Sequence, residues 1–284
     1  MKSPLTSRSA KIAAVVGVLA AVALPALPSS GAPGGYAIHY LDMKGAHGQP
    51  PASGNNLIDH GGPVLSAAHT YTIWWGPSSS WTSDVAPGIA NFFSGVNKSQ
   101  FLNTATQYMR GPSASSTPGA TSTWADPTSP PKKSVSPATL GAEVSKALSA
   151  GQLGGSVDPN GIYFVYTSNF PRGGNFCAWH SDVSVGGHVV SVAYMPNTTG
   201  VAGCNPNATT GQSEGLASLA NVTSHEFMES ITDPQLNAWY DGSGSEIGDK
   251  CAWMFSGTTT FGGTAWYLQM EWSNAVSGCV LTTP

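Results

Sequence analysis

Charge is scarce in this chain of 284 residues: only 9% are Asp, Glu, Lys or Arg, and the formal net charge is −4. So few cations leave no basic patch, which argues against nucleic acid and anionic membranes as partners. Phosphate-binding glycine loops are absent, and no G-x-S-x-G sequence stands in the strand–turn–helix context of a serine nucleophile. Cysteine is equally sparse. The four cysteines, Cys177, Cys204, Cys251 and Cys279, include no CxxC pair, so a cysteine zinc site is not expected. Outside "IAAVVGVLAAVAL" (12–24) no apolar run approaches the length of a membrane span, about 20 residues.

That apolar run follows Lys2, Arg8 and Lys11 and is succeeded by "PALPSSGAPGG". A basic start, a short apolar stretch and a small-residue exit describe a secretory signal peptide over 1–32; an N-terminal membrane anchor is the bland alternative. The remaining chain is expected to be exported, with no membrane association after cleavage. Few charges but abundant Gly, Pro, Ser, Thr and aromatics suit an extracellular β-rich protein. In such a chain four cysteines read as two disulfides. Pairing of sequence neighbours, Cys177–Cys204 and Cys251–Cys279, is the simplest of three connectivities, each loop stabilising by about 3–4 kcal/mol in the chain-entropy picture.

Residues 33–62, rich in Gly, Pro, His and Asn, are expected to form an extended lead-in, and 63–284 a single domain. "HTYTIWWG" (69–76) alternates like a strand, and "GIYFVYTS" (161–168) and "HVVSVAYMP" (188–196) read as buried strands. "TAWYLQMEWSN" (264–274) reads as one late strand. Helical spacing marks 83–109, with a break near Gly95, and 138–153; "QSEGLASLANVTSHEFMESITD" (212–233) is the strongest helix. Residues 111–137 are Pro/Ser/Thr-rich and predict a loop. The order predicts an α+β domain with a mixed sheet backed by helices.

The chemistry concentrates in "TSHEFMESITDP" (223–234). On a helix His225 and Glu229 stand i, i+4, one above the other, so both can reach one ion. Glu226 is turned one position onward, the place from which a general base takes the proton of an attacking water. Leu216, Leu219, Ala220, Thr223, Phe227 and Ile231 form the core stripe, which puts the His225–Glu229 face on the side of a cleft. A solvated polar helix face is the competing reading. Glu246 is the first choice for a third ligand, with Asp249 beside or in place of it, and Cys251 would brace their loop. Such a set of one imidazole and two carboxylates suits Zn2+ in a zincin-like arrangement; Ca2+ is the alternative, because "DGSGSEIGD" (241–249) offers alternating oxygen ligands. His180, three residues after Cys177, is a ligand, an oxyanion donor, or a structural histidine. Trp239, Tyr240 and Trp253 are candidates for lining a substrate cleft. His60 and His69 read as structural, and His188 starts a strand.

"HGGPVL" (60–65), "TIWWG" (72–76), "YFVYTS" (163–168), "FCAWH" (176–180) and "ITDP" (231–234) resemble the phosphate-induced protein 1 family, whose plant members are called EXORDIUM. The resemblance implies a secreted or wall-associated protein, and it brings no biochemical activity with it. Cys177, His180, Glu246 and Cys251 match the family pattern, whereas His225-Glu226 departs from it. The expectation is a secreted zinc-dependent hydrolase of peptidase type acting on a peptide or cell-wall substrate. The competing class is a non-catalytic extracellular or cell-wall-associated binding protein, with calcium as its stabilising ion.

Overall fold

Runs of β-branched and aromatic residues buried on both sides favour a central, mostly parallel sheet covered by helices. The computed structural model describes residue 1 and residues 36–45, 55–133 and 135–283. The expected signal peptide lies outside the described residues. From the amino end the elements are β1 (His39–Asp42), β2 (Ile58–Asp59), β3 (Ala67–Trp75), α1 (Val85–Val96) and α2 (Gln100–Asn103). Next come β4 (Ser115–Ser116), β5 (Ser122–Asp126), α3 (Pro137–Ser149), β6 (Gly161–Thr167), β7 (Phe176–Val185) and β8 (His188–Pro196). After them come α4 (Glu214–Thr232), β9 (Trp239–Tyr240), β10 (Thr259–Phe261), β11 (Thr264–Trp266), β12 (Glu271–Ser273) and β13 (Gly278–Val280). No helix among the described residues is long and apolar enough to cross a membrane.

The main sheet runs β1-β7-β8-β6-β3, with β4 and β5 both paired to the outer side of β3. β3, β4, β5, β6 and β8 are mutually parallel, while β7 runs antiparallel to both of its neighbours, β8 and β1. It is the expected mixed sheet. Helices cover both faces, because side chains alternate along every central strand. Trp74, Ile162, Phe164, Tyr166, Ala193 and Met195 pack toward α1 and α4. Tyr71, Ile73, Tyr163, Val165, Val192 and Tyr194 pack toward Leu140, Val144 and Ala147 of α3.

Several expectations need adjusting. The stretch 111–137 contains β4 and β5: its Ser, Thr and Trp side chains tolerate an edge strand even where prolines flank it. β1 and β2 lie within the expected lead-in, formed by pairing with β7 and β9. The late strand divides into β11 and β12, each in its own hairpin. The break near Gly95 separates α1 from α2; a Cβ on Gly95 would sit 2.3 Å from the Gly262 nitrogen, so a side chain is excluded there.

α4 is capped by Ser213, whose hydroxyl accepts the Leu216 N–H and is itself held by Asp84. At its other end Asp233 accepts the N–H groups of Asn237 and Ala238 at 2.6 and 2.7 Å. Every residue of this helix after Glu214 is buried. The His225–Glu229 face therefore does not open on a cleft. It faces β7 and the segment 246–272, a second packed layer that no single-helix pattern can reveal. Asn221 shares this burial, its amide oxygen accepting the Gln269 N–H at 2.7 Å.

A charged knot joins α3 to β5. Asp126 binds the Lys146 ammonium and accepts the Thr128 N–H and hydroxyl. Burial alone would raise its pKa, but these donors hold it near 2. Glu143 is pushed up to about 7, chiefly by burial and then by the Asp126 carboxylate. A folded pKa above the unfolded one means stability that is complete below the unfolded value and lost as pH rises through about 7. Asp126 titrates far below this window. Glu143→Gln is therefore expected to raise the Tm at pH 8 relative to pH 5, measured by thermal denaturation across that range; an unchanged pH slope would refute it.

A candidate metal centre

Four separate elements converge on one point. α4 contributes His225, Glu226 and Glu229. β7 contributes His180, which alternates with Trp179 and so faces α4, beside Ala178. β1 places His39 directly opposite His180 in the antiparallel register. The turn after Ser245 supplies Glu246 and Asp249, braced by the Cys251–Cys279 disulfide. The other bridge, Cys177–Cys204, anchors the start of β7. Both disulfides are the sequence-neighbour pairs.

Gly248 makes the close approach possible. A Cβ there would lie 2.5 Å from His225 Nδ1 and 3.0 Å from Glu229 Oε1. In its place the Asp249 N–H donates to Glu229 Oε1 at 3.1 Å, and Gln269 bridges His225 Nδ1 at 2.8 Å to the Gly248 carbonyl at 3.1 Å. The Gln269 amide nitrogen thus packs against Nδ1, and His225 Nε2 is turned toward the carboxylates.

Three overlapping groups have ligand atoms within 4.8 Å of one another: His225, Glu229 and Asp249; His180, Glu226 and Glu229; His39, Glu229 and Glu246. The first triad takes Asp249, not Glu246, as partner of the motif. The imidazole-to-carboxylate distances are 3.1 Å (His225–Glu229), 3.3 Å (His180–Glu226), 3.5 Å (His39–Glu246) and 3.8 Å (His225–Asp249). All four are longer than a good charge-assisted hydrogen bond, about 2.7–2.9 Å. They bracket the edge, about 3.3–3.4 Å, of a tetrahedron whose corners lie 2.0–2.1 Å from a central zinc.

Burial sharpens the test. His180, His225, Glu226, Glu229 and Glu246 are all fully buried. His180 Nε2, His225 Nε2, Glu226 Oε1, Glu229 Oε2 and both oxygens of Glu246 have no hydrogen-bond partner. Five of these six atoms meet an opposite charge at 3.1–3.5 Å without forming a hydrogen bond, and Glu226 Oε1 meets none; buried polar atoms normally form hydrogen bonds, so the set fits a cation. The donor chemistry fits zinc better than calcium, since each triad contains an imidazole while calcium takes oxygen ligands.

Protons compensate the charges in the ion-free state. Burial works against charged His180 and His225, yet the Glu226 and Glu229 carboxylates raise both to about 10. Glu229 is held well below the carboxylate range despite burial, because both imidazoles face it. Burial, then the charges of Glu229, Asp233 and Asp249, push Glu246 far up. Glu271, also buried and unpartnered, is pushed up by burial behind the site.

The remaining candidates have other partners. Asp241 accepts from Ser243 and Ser245 and pairs with Lys250 at 2.7 Å, which ties up the first acid of the 241–249 loop. Trp239 packs on Tyr108, Tyr240 stacks on His60 at 3.6 Å, and the Trp253 indole donates to the Asp42 carbonyl. These contacts give each ring a packing role. His69 binds Asp158 at 2.5 Å, as a structural histidine should. Sequence reading missed His39, Gln269 and Glu271. Alternation in "AIHYLD" (37–42) is the one signal that pointed to a strand at His39. No protein-family model matches the chain, and no curated protein or solved structure does so either.

Proposed function

We propose that this chain is a secreted, zinc-dependent hydrolase of peptidase type. The observation that supports it is the convergence of His225, Glu229 and Asp249 on one point, with fully buried donor atoms left unpartnered around them. The two disulfides agree with an exported protein. A zinc ion held there would supply Lewis acidity and make water acidic near neutral pH.

The protein's own part is positioning. Glu226 hydrogen-bonds His180 through one oxygen at 3.3 Å and leaves Oε1 free. Burial raises its pKa, with the charge of Glu229 adding to the shift, so it is suited to accept a proton from water and pass it on. His180 orients this carboxylate. Solvent reaches the cluster past His39 and Asp249, whose side chains are 27% and 20% exposed while the other five are 0–1% exposed. A scissile group would have to enter by that rim.

A second reading, a binding module for neutral wall polysaccharide, draws on a different place. A cavity of about 620 Å³ lies between β3, β5 and the start of α1, lined by Thr72, Trp74, Trp81, Thr82, Ile89 and Thr123. The Trp81 indole N–H is buried without a partner. Metal analysis separates the two. The purified chain should carry bound zinc and release it on chelation with a fall in Tm; a chain with no affinity for zinc would leave only the binding module.

A further inference from the structure

The centre has more ligands than one ion can use. Four-coordinate zinc takes at most four donors, and seven side chains meet here. Once His225, Glu229 and Asp249 are assigned to one ion, both oxygens of Glu246 remain buried without a hydrogen bond. Glu246 is fully buried and faces His39 Nδ1 through one oxygen at 3.5 Å and His180 Nε2 through the other at 3.5 Å. Glu229 sits in all three groups. Its Oε1 faces His225 Nε2 at 3.1 Å, and its Oε2 faces His180 Nδ1 at 3.4 Å. One carboxylate thus presents its two oxygens to two sides of the cluster.

Charge gives the same count. Glu226, Glu229, Glu246 and Asp249 bring four negative charges into a site where five of the seven side chains are almost wholly buried. Metal binding displaces the protons that compensate these carboxylates in the ion-free state, and two dications balance all four once they are ionised.

We propose that the centre holds two metal ions bridged by Glu229, the second held by His39 and Glu246. This rests on the metal-centre reading above and extends it. His180 then is a positioning residue between the two halves, touching Glu226 with one nitrogen and Glu246 with the other. Carboxylate-bridged ions about 3.5–4 Å apart are the arrangement by which hydrolases hold both the attacking and the leaving oxygen. The second ion lies on the solvent side, since its ligand His39 forms the rim.

The test is a metal titration of the chelator-stripped full chain with Zn2+, followed by equilibrium dialysis and elemental analysis. Wild type is expected to retain two equivalents and His39→Ala one. His39 stands on a short, partly exposed strand, and circular dichroism checks the fold of the variant; His39→Gln serves as a milder second variant. A cobalt-loaded sample adds a spectroscopic readout. The paramagnetic signal at one equivalent should be attenuated by coupling at the second in wild type, and persist in His39→Ala. Saturation of wild type at one equivalent overturns the pair and leaves the single-ion hydrolase standing. Two equivalents in both wild type and His39→Ala also overturns it, since the second ion is then elsewhere. No bound ion at all removes both readings together.

Discussion

Glu226→Gln is expected to lower hydrolysis by roughly 10²- to 10⁴-fold while the protein keeps its metal and its fold. The substitution preserves volume and one oxygen, so the packing around a fully buried side chain is retained. It removes the ability to accept a proton, the task assigned to the unpartnered Oε1. It leaves His225, Glu229 and Asp249 untouched. Turnover of a mixed peptide pool, zinc content and Tm, measured on the same preparations, give three independent readouts. A variant that still hydrolyses at the wild-type rate with zinc bound would remove Glu226 from the chemistry. A variant that loses its zinc would make Glu226 a ligand.

Breaking Cys251–Cys279 with paired serines should destabilise the protein by about 3–4 kcal/mol, from the loop entropy of a separation of 28 residues. For a domain of this size that corresponds to a fall in Tm of about 7–15 °C. The effect should reach the centre as well. Cys251 ends the short turn that begins at Asp249, and this turn positions Asp249 and Glu246, joined by the hydrogen bonds of the Asp249 N–H to Glu229, Gln269 to the Gly248 carbonyl and the Trp272 N–H to the Ile247 carbonyl. Zinc affinity should therefore drop together with stability. Removing Cys177–Cys204, of nearly equal separation, should lower the Tm comparably but spare most of the affinity, because the first-ion triad lies on other elements. Calorimetry and competition with a chromogenic chelator distinguish the two pairs; equal losses of affinity would refute the assignment of the turn as the metal-carrying element.

Much of the centre was visible in the primary structure for a definite reason. The i, i+4 relation of His225 and Glu229 is a property of one helix, and α4 carries its own signals: Ser213 as cap, an apolar stripe, and Pro234 as stop. β3, β6 and β8 were legible because strands buried on both faces are written almost wholly in apolar and aromatic residues. The nearest-neighbour disulfides followed the short loops between their cysteines. β7 was not legible. Its Ser, Asp and His residues interrupt the apolar run; His180 is buried beneath α4, while Asp182 is half-buried and Ser184 exposed. β1 has four residues and takes its place by pairing with a partner about 140 positions further on, so nothing local marks His39 as a ligand.

What the linear chain determined by itself was local: the helix that aligns an imidazole with a carboxylate, the extended runs, and the cysteine pairs. The fold decided the number and nature of the other ligands. It decided, too, that the motif is enclosed rather than displayed. The physical reason is that helical and strand periodicities are set by neighbours along the backbone. Enclosure depends on which surfaces meet across the sheet, and there Gly248, lacking a side chain, lets a distant turn close over His225.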